Sequence, residues 1–507
     1  MNFPEPARRS CDTTMLWAVS AAVAGLGTWV MYAALPGLNW VIWTTAAAAG
    51  LLLFSRSAKV ASGPVVVTGV LAAIIAGGVA MTADPFMHAL ICLAVIQLLA
   101  LQMLLATDGW WTRIAPLFTL AAPIVAFGCA VIESARRALE ALHIVRSHRA
   151  ISVVQGLAIT APVLLVFALL LSSADPVFAQ WRAAFEHLLS SWAFLPRTVF
   201  FLALLTIVLG AYGFAAKGDD APTIAALAPP GDRGGRWLGA TERLILLGGV
   251  ALLLWVFLLV QLSYLFGNLP IVAGSGMTFA EYARRGFAEL TVVASASVLL
   301  ILFAERFGRR GEREVLLRAV TIALIVAVLC LLGSAFHRVS LYEEAYGFTT
   351  SRLYAQTYMI VVAISLVALA IEVRGEIQPQ RVFRRAASAA AIAFITLIYW
   401  NHGAWIANRN IDRFATTGKL DTVYLTRDLS PDAVPAIAAR LTSLPEPARS
   451  ELRAAVNLRY RGRHRLLDQR WFEWNRGRAN ARNALLRLGI PLRLPPRPAV
   501  QPEAARP

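Results

Sequence analysis

Long apolar runs separated by short polar stretches dominate the chain. They fall at roughly 15–35, 38–54, 64–82, 86–107, 114–132, 151–172, 197–216, 243–266, 286–304, 315–336, 353–373 and 386–407. Each is close to the ~20 residues that a helix needs to cross the hydrocarbon of a bilayer. The second run is short and follows a tight Pro36-Gly37 turn, so the pattern predicts about 11–12 transmembrane helices. The fold class is all-α: a polytopic helical membrane protein with a small C-terminal helical soluble domain.

Between the spans, 133–149 and 175–196 place apolar residues at helical spacing among charges, which predicts interfacial helices. Residues 1–14 form an N-terminal segment, 15–407 the transmembrane bundle, 408–490 the soluble domain, and 491–507 a Pro-rich tail expected to be disordered.

Three polar passages interrupt this pattern. The first is 264–290, where Gly267, Pro270, Gly274 and Gly276 forbid regular structure. Thr278 and Glu281 then form a capping box, and Glu281, Arg285 and Glu289 share one helix face, with Arg284 beside it. Glu289 enters the apolar run, so the pattern predicts burial and pairing with Arg285, Arg338 or Arg352. The second passage is the loop 337–352, with Arg338, Glu343, Glu344, Tyr346 and Arg352. The third follows the last span and carries Asn401, Asn408, Asn410 and Arg413. These residues make up a candidate polar cluster. The C-terminal domain is expected to close over loop 267–277, with Trp471, Phe472 and Trp474 making one buried contact.

Composition excludes a soluble protein: 58% of residues are hydrophobic, 15% are charged, and the mean hydropathy is +0.61. The net charge of +17 lies mainly in loops and tail, where anionic lipid headgroups and orientation rules account for it, so nucleic acid is not an expected partner. The loops after the fifth, seventh, ninth and eleventh runs hold seventeen basic residues, and those after the sixth, eighth and tenth hold six. The first set is therefore expected in the cytoplasm, and the polar cluster and C-terminal domain outside it. Four cysteines, with no CxxC pair, give neither a disulfide frame nor a metal site, and no cofactor motif is present.

The runs YLFG and GMTFAEYARRGFAEL (264–290), YEEAYGFTTSRLYAQTYM (342–359), NHGAWIANRNIDRF and GKLDTVYLTRDLSPDAVPAI (401–437), with DQRWFEWNRGRANA (468–481), resemble the bacterial membrane proteins grouped as domain of unknown function 4173 and the related 4153. The resemblance spans roughly 240–480 and implies a multi-span protein of the bacterial inner membrane with no assigned activity.

For function, three readings remain. A non-enzymatic sensor, scaffold or assembly protein fits the gathering of polar residues on one face, where a protein partner or small ligand would bind. A secondary transporter fits the many spans with internal prolines at 116, 123 and 162. An enzyme of lipid or envelope precursors would draw on His337, His402 and the glutamates, but no nucleophile motif accompanies them.

Overall fold

The computed structural model describes residues 13–57, 62–106, 121–141, 194–217, 238–266, 287–309, 314–373, 375, 378–463, 466 and 470–492. Helix dominates them, and no strand occurs among the described residues beyond one isolated bridge, Leu238 to Gly308. Nine of the described helices are long and apolar enough to cross a membrane. The chain divides into two units, residues 1–229 with 468–479, and residues 230–467 with 480–507.

The first unit contains α1 (Thr13–Met31), α2 (Leu38–Ser57), α3 (Ser62–Met81), α4 (Pro85–Leu105), α5 (Ala122–Ala141) and α6 (Leu195–Lys217). Asp84 caps α4 by accepting from the Phe86 and Met87 amides, and Pro85 occupies the first helical position, where its missing N–H costs nothing. Two polar side chains tie the apolar helices together. Gln102 Nε2 donates to Ala48 O at 3.0 Å, and the buried Tyr212 hydroxyl donates to Ala47 O at 3.2 Å. Close approach at Gly210 is obligatory, since a Cβ there would fall inside 3.0 Å of the Ala130 backbone.

Helix α5 runs unbroken through position 133, where the sequence pattern divides a span from an interfacial helix. Glu133, buried at 2% exposure, holds the two parts in one helix. It pairs with Arg137 (2.9 Å) and with Lys217 at the end of α6.

The segment 470–478 belongs to this unit although it lies more than 390 residues further along the chain. Asn475 is fully buried and donates both amide hydrogens to carbonyls at the end of α3, Val79 O at 2.7 Å and Thr82 O at 2.6 Å. The buried Glu473 carboxylate accepts from the Leu35 amide. The Leu38 amide donates to Trp474 O, and Arg478 donates to Pro36 O. Phe472 is buried against Trp29 with ring centroids 5.5 Å apart, while Trp471 and Trp474 stay exposed. Thus one of the three aromatics makes the buried contact.

The second unit contains α7 (Ala240–Phe266), α8 (Phe287–Phe307), α9 (Glu314–Tyr346), α10 (Thr350–Val373) and α11 (Pro379–Tyr399), followed by α12 (His402–Thr417), α13 (Val434–Arg440), α14 (Ala448–Tyr460) and most of α15 (Arg476–Arg487). Leu324, Ile325, Val328, Leu331 and Leu366 form a closed apolar core among the long helices. A second core gathers Ile406, Ile411, Val434, Ile437, Leu452, Val456 and Leu485 in the C-terminal domain.

Two boundaries differ from the sequence pattern. Helix α9 continues through the expected loop 337–352 as far as Tyr346, because nothing before Gly347 breaks a helix and Val339 and Glu343 stay on its buried face. Its 33 residues span about 50 Å, well beyond a ~30 Å hydrocarbon core. The last span ends at Tyr399 rather than 407. Asn401 accepts from the Ala404 amide and starts α12, whose Ile406, Ala407 and Ile411 face the C-terminal core.

Candidate functional site

The sharpest concentration of polar contacts in the second unit lies at the turn between α9 and α10. Gly347 adopts φ +92, a conformation that a side chain would strain, and lets the chain reverse between the two helices. Helix α12 locks this turn. Asn410 Oδ1 accepts from the Phe348 amide and Asn410 Nδ2 donates to Phe348 O, both at 2.8 Å. Three residues along the same helix face, Arg413 donates to Glu344 O (2.8 Å) and Ala345 O. These bonds satisfy carbonyls at the C-terminal end of α9, where helices leave them open and favour positive charge. The first amide of α10, Thr350 N, donates to the Tyr424 hydroxyl at 2.9 Å. Burial raises the Tyr424 phenol above its ordinary range, against the pull of the Thr350 bonds.

Beneath the turn, Glu343 is 4% exposed and accepts from Gln356 Nε2 at 2.9 Å. Arg352 stands 4.2 Å over the Tyr342 ring and donates to Gly347 O. Tyr342 stacks in turn on Tyr346 at 4.8 Å. His402, also buried, joins α10 to α12 through Nε2 and the Tyr354 hydroxyl (3.1 Å), and its Nδ1 meets Leu397 O at 3.3 Å.

The structure therefore brings together Glu343, Tyr346, Arg352, Asn410 and Arg413, with Glu344 contributing its carbonyl while its side chain is exposed. Arg338 sits half-buried about two turns earlier on α9. Asn408 is half-buried on a different face of α12 from Asn410 and Arg413. Glu281, Arg284 and Arg285 lie outside the described residues, as do loop 267–277 and most of 175–196. Glu289 departs from the expected burial: it is exposed in the first turn of α8, where an acidic side chain complements the helix N-terminus. Asn410 and Arg413, expected to meet loop 267–277, bind the 344–348 backbone.

Sequence reasoning missed Gln356 and Tyr424. Gln356 lies thirteen residues from Glu343, across a turn whose tightness rests on Gly347. Tyr424 sits in a π-helical turn, Tyr424–Asp428, that no local pattern announces.

Among the described residues, no three His, Cys, Asp or Glu side chains gather as metal ligands would. Of the buried carboxyl and imidazole groups, Glu343 and His402 lie near this turn, and each is held by a neighbour from another helix.

Comparison with known proteins agrees with the motif resemblance and extends it. The profile of a family described as Domain of unknown function (DUF4153) matches residues 13–439. The chain belongs to this family. The match begins at the first helix of this DUF4153 protein, so it takes in the N-terminal spans that offered only hydrophobicity to motif reading. It stops before the 470–478 segment. No curated protein and no solved structure matches the chain.

Proposed function

We propose that this DUF4153 protein is a non-catalytic membrane scaffold or sensor, whose polar face outside the cytoplasm transmits the state of its C-terminal domain to helices α9 and α10. The observation that carries this reading is the lock at the α9–α10 turn. Arg413 and Tyr424, both from the C-terminal domain, bond directly to backbone groups of the two long helices, and Asn410 bonds the turn between them. Backbone bonds at both helix ends make the connection stiff, so tilting the domain moves the spans with it. The closed apolar core around Leu324, Val328 and Leu331 supports a packed bundle over a conduit.

A carrier is the second reading. It draws on Gln261, which is 5% exposed, accepts from Ser334 at 3.1 Å, and has no partner for its Nε2 among the described residues.

Complementation tests the proposal. The double variant Asn410→Ala with Arg413→Ala, inserted at wild-type level, should fail to rescue a deletion strain. Full rescue overturns the coupling. Cysteines replacing Val328 or Leu331 separate the two readings: a bundle leaves them untouched by a membrane-impermeant thiol reagent, and a carrier labels them.

A further inference from the structure

Two buried glutamates gather cations, and they do so differently. Glu133 holds Arg137 and Lys217, whose side chains are only 13% and 22% exposed, and meets the more open Arg136 only at 3.9 Å, so its two close partners are shut into the protein. Glu372, near the end of α10, is equally buried, but its two partners from α11 are open. Arg381 reaches Glu372 Oε2 at 3.1 Å and Arg385 reaches Oε1 at 2.8 Å, and their side chains are 44% and 46% exposed. One carboxylate oxygen goes to each guanidinium, which fixes their spacing and leaves their other N–H donors facing outward. Arg384 lies exposed on the same helix face, three residues from Arg381.

The electrostatics of this patch call for an anion. Among the described residues it carries three guanidinium groups against one carboxylate. The first turn of α11 has no acidic residue, and its N-cap, Gln378, forms no side-chain cap, so the positive end of the helix adds to the arginines. The apolar stretch of α11 begins at Ala386, immediately after Arg385, which sets the guanidinium groups at headgroup depth. The anion abundant at that depth is the lipid phosphate, and the planar guanidinium fork matches its oxygens.

We propose that Arg381, Arg384 and Arg385, spaced by Glu372, form a seat for the phosphate of an anionic phospholipid headgroup. The loop-charge bias assigns this end of α10 and α11 to the cytoplasmic leaflet. The proposal stands apart from the scaffold reading and does not depend on it.

Native mass spectrometry of the delipidated full-length protein, titrated with phosphatidylglycerol, tests it. Arg384→Gln leaves both Glu372 pairs intact and should weaken phosphatidylglycerol binding about fivefold, the effect of one interfacial arginine. Arg381→Gln, which leaves Arg385 to neutralise Glu372, should do the same. The exposed Arg487→Gln, which removes one charge from α15, should change nothing. Melting temperatures within a degree or so of wild type show that the variants fold. Undiminished binding in both α11 variants overturns the seat. Equal binding of phosphatidylcholine overturns the requirement for an anionic lipid, and displacement by millimolar inorganic phosphate overturns the lipid as occupant.

Discussion

Asn475 and Asn410 do the same job in the two units: a carboxamide from a late segment satisfies backbone groups at the end of an early helix. Asn475 is 0% exposed, so removing its donors strands Val79 O away from water, while Thr82 O keeps His88 Nε2 at 2.7 Å. Asn475→Leu keeps the number and branching of heavy atoms and loses both donated bonds, together with the one its Oδ1 accepts from the Arg478 amide. It should cost about 2–4 kcal/mol, read as a lower melting temperature in detergent, while the exposed Asn480→Leu stays near neutral. At the other turn, a Cβ on Gly347 would lie 2.6 Å from Asn410 Oδ1 and would strain the backbone. Gly347→Ala and Asn410→Ala should therefore be non-additive. The double variant should recover about 1 kcal/mol relative to the summed single effects, since the second change removes the clash created by the first. Additive losses would disconnect the two residues.

At the scale of elements, apolar length was the readable signal. The runs at 38–54, 64–82, 197–216 and 353–373 sit within helices of nearly the same bounds, because a bilayer leaves helix as the only way to satisfy the backbone in one segment. Helix ends were less legible. The continuation of α9 to Tyr346 and the break at Trp400–Asn401 depend on partners far along the chain, which a local pattern does not contain. The polar cluster was half legible for the same reason. The residue types at 343–352 and 408–413 mark a site, but which of them meet follows from the Gly347 reversal. In the C-terminal domain, α14 carries a second consequence of packing: burial pushes the Tyr460 phenol up to about 12. A folded pKa above the unfolded one, near ~10 for tyrosine, means the fold favours the protonated phenol. That stability is complete below pH ~10 and is lost as pH rises toward about 12. Alkaline titration followed by tryptophan fluorescence should show the domain loosening in that window, and Tyr460→Phe should flatten the dependence. An unchanged profile in the variant assigns the transition elsewhere.

At the scale of the whole chain, ion pairs between long helices recur among the described residues of each unit. Lys217 of α6 meets Glu133 of α5, Arg243 of α7 meets Glu305 of α8, and Arg381 and Arg385 of α11 meet Glu372 of α10. Several arginines that the loop-charge count treats as orientation signals are thus also fasteners between spans. The buried Glu133 and Glu372 are tolerated because each is paired, and leaving either unpaired would be strongly destabilising.

The bonds from 470–478 to the turns at 33–38 and 79–82 bear on the timing of synthesis. Glu473 and Leu35 stand 438 residues apart, and at ~5–20 residues per second the ribosome takes roughly 20–90 s to travel between them. For most of that interval the first four helices have been made while Val79 O and Pro36 O still await their donors. The N-terminal unit is finished by a segment made 396 residues after Val79. A nascent chain that stalls before Arg470 carries open carbonyls at Pro36 and Val79 as a mark of incompleteness.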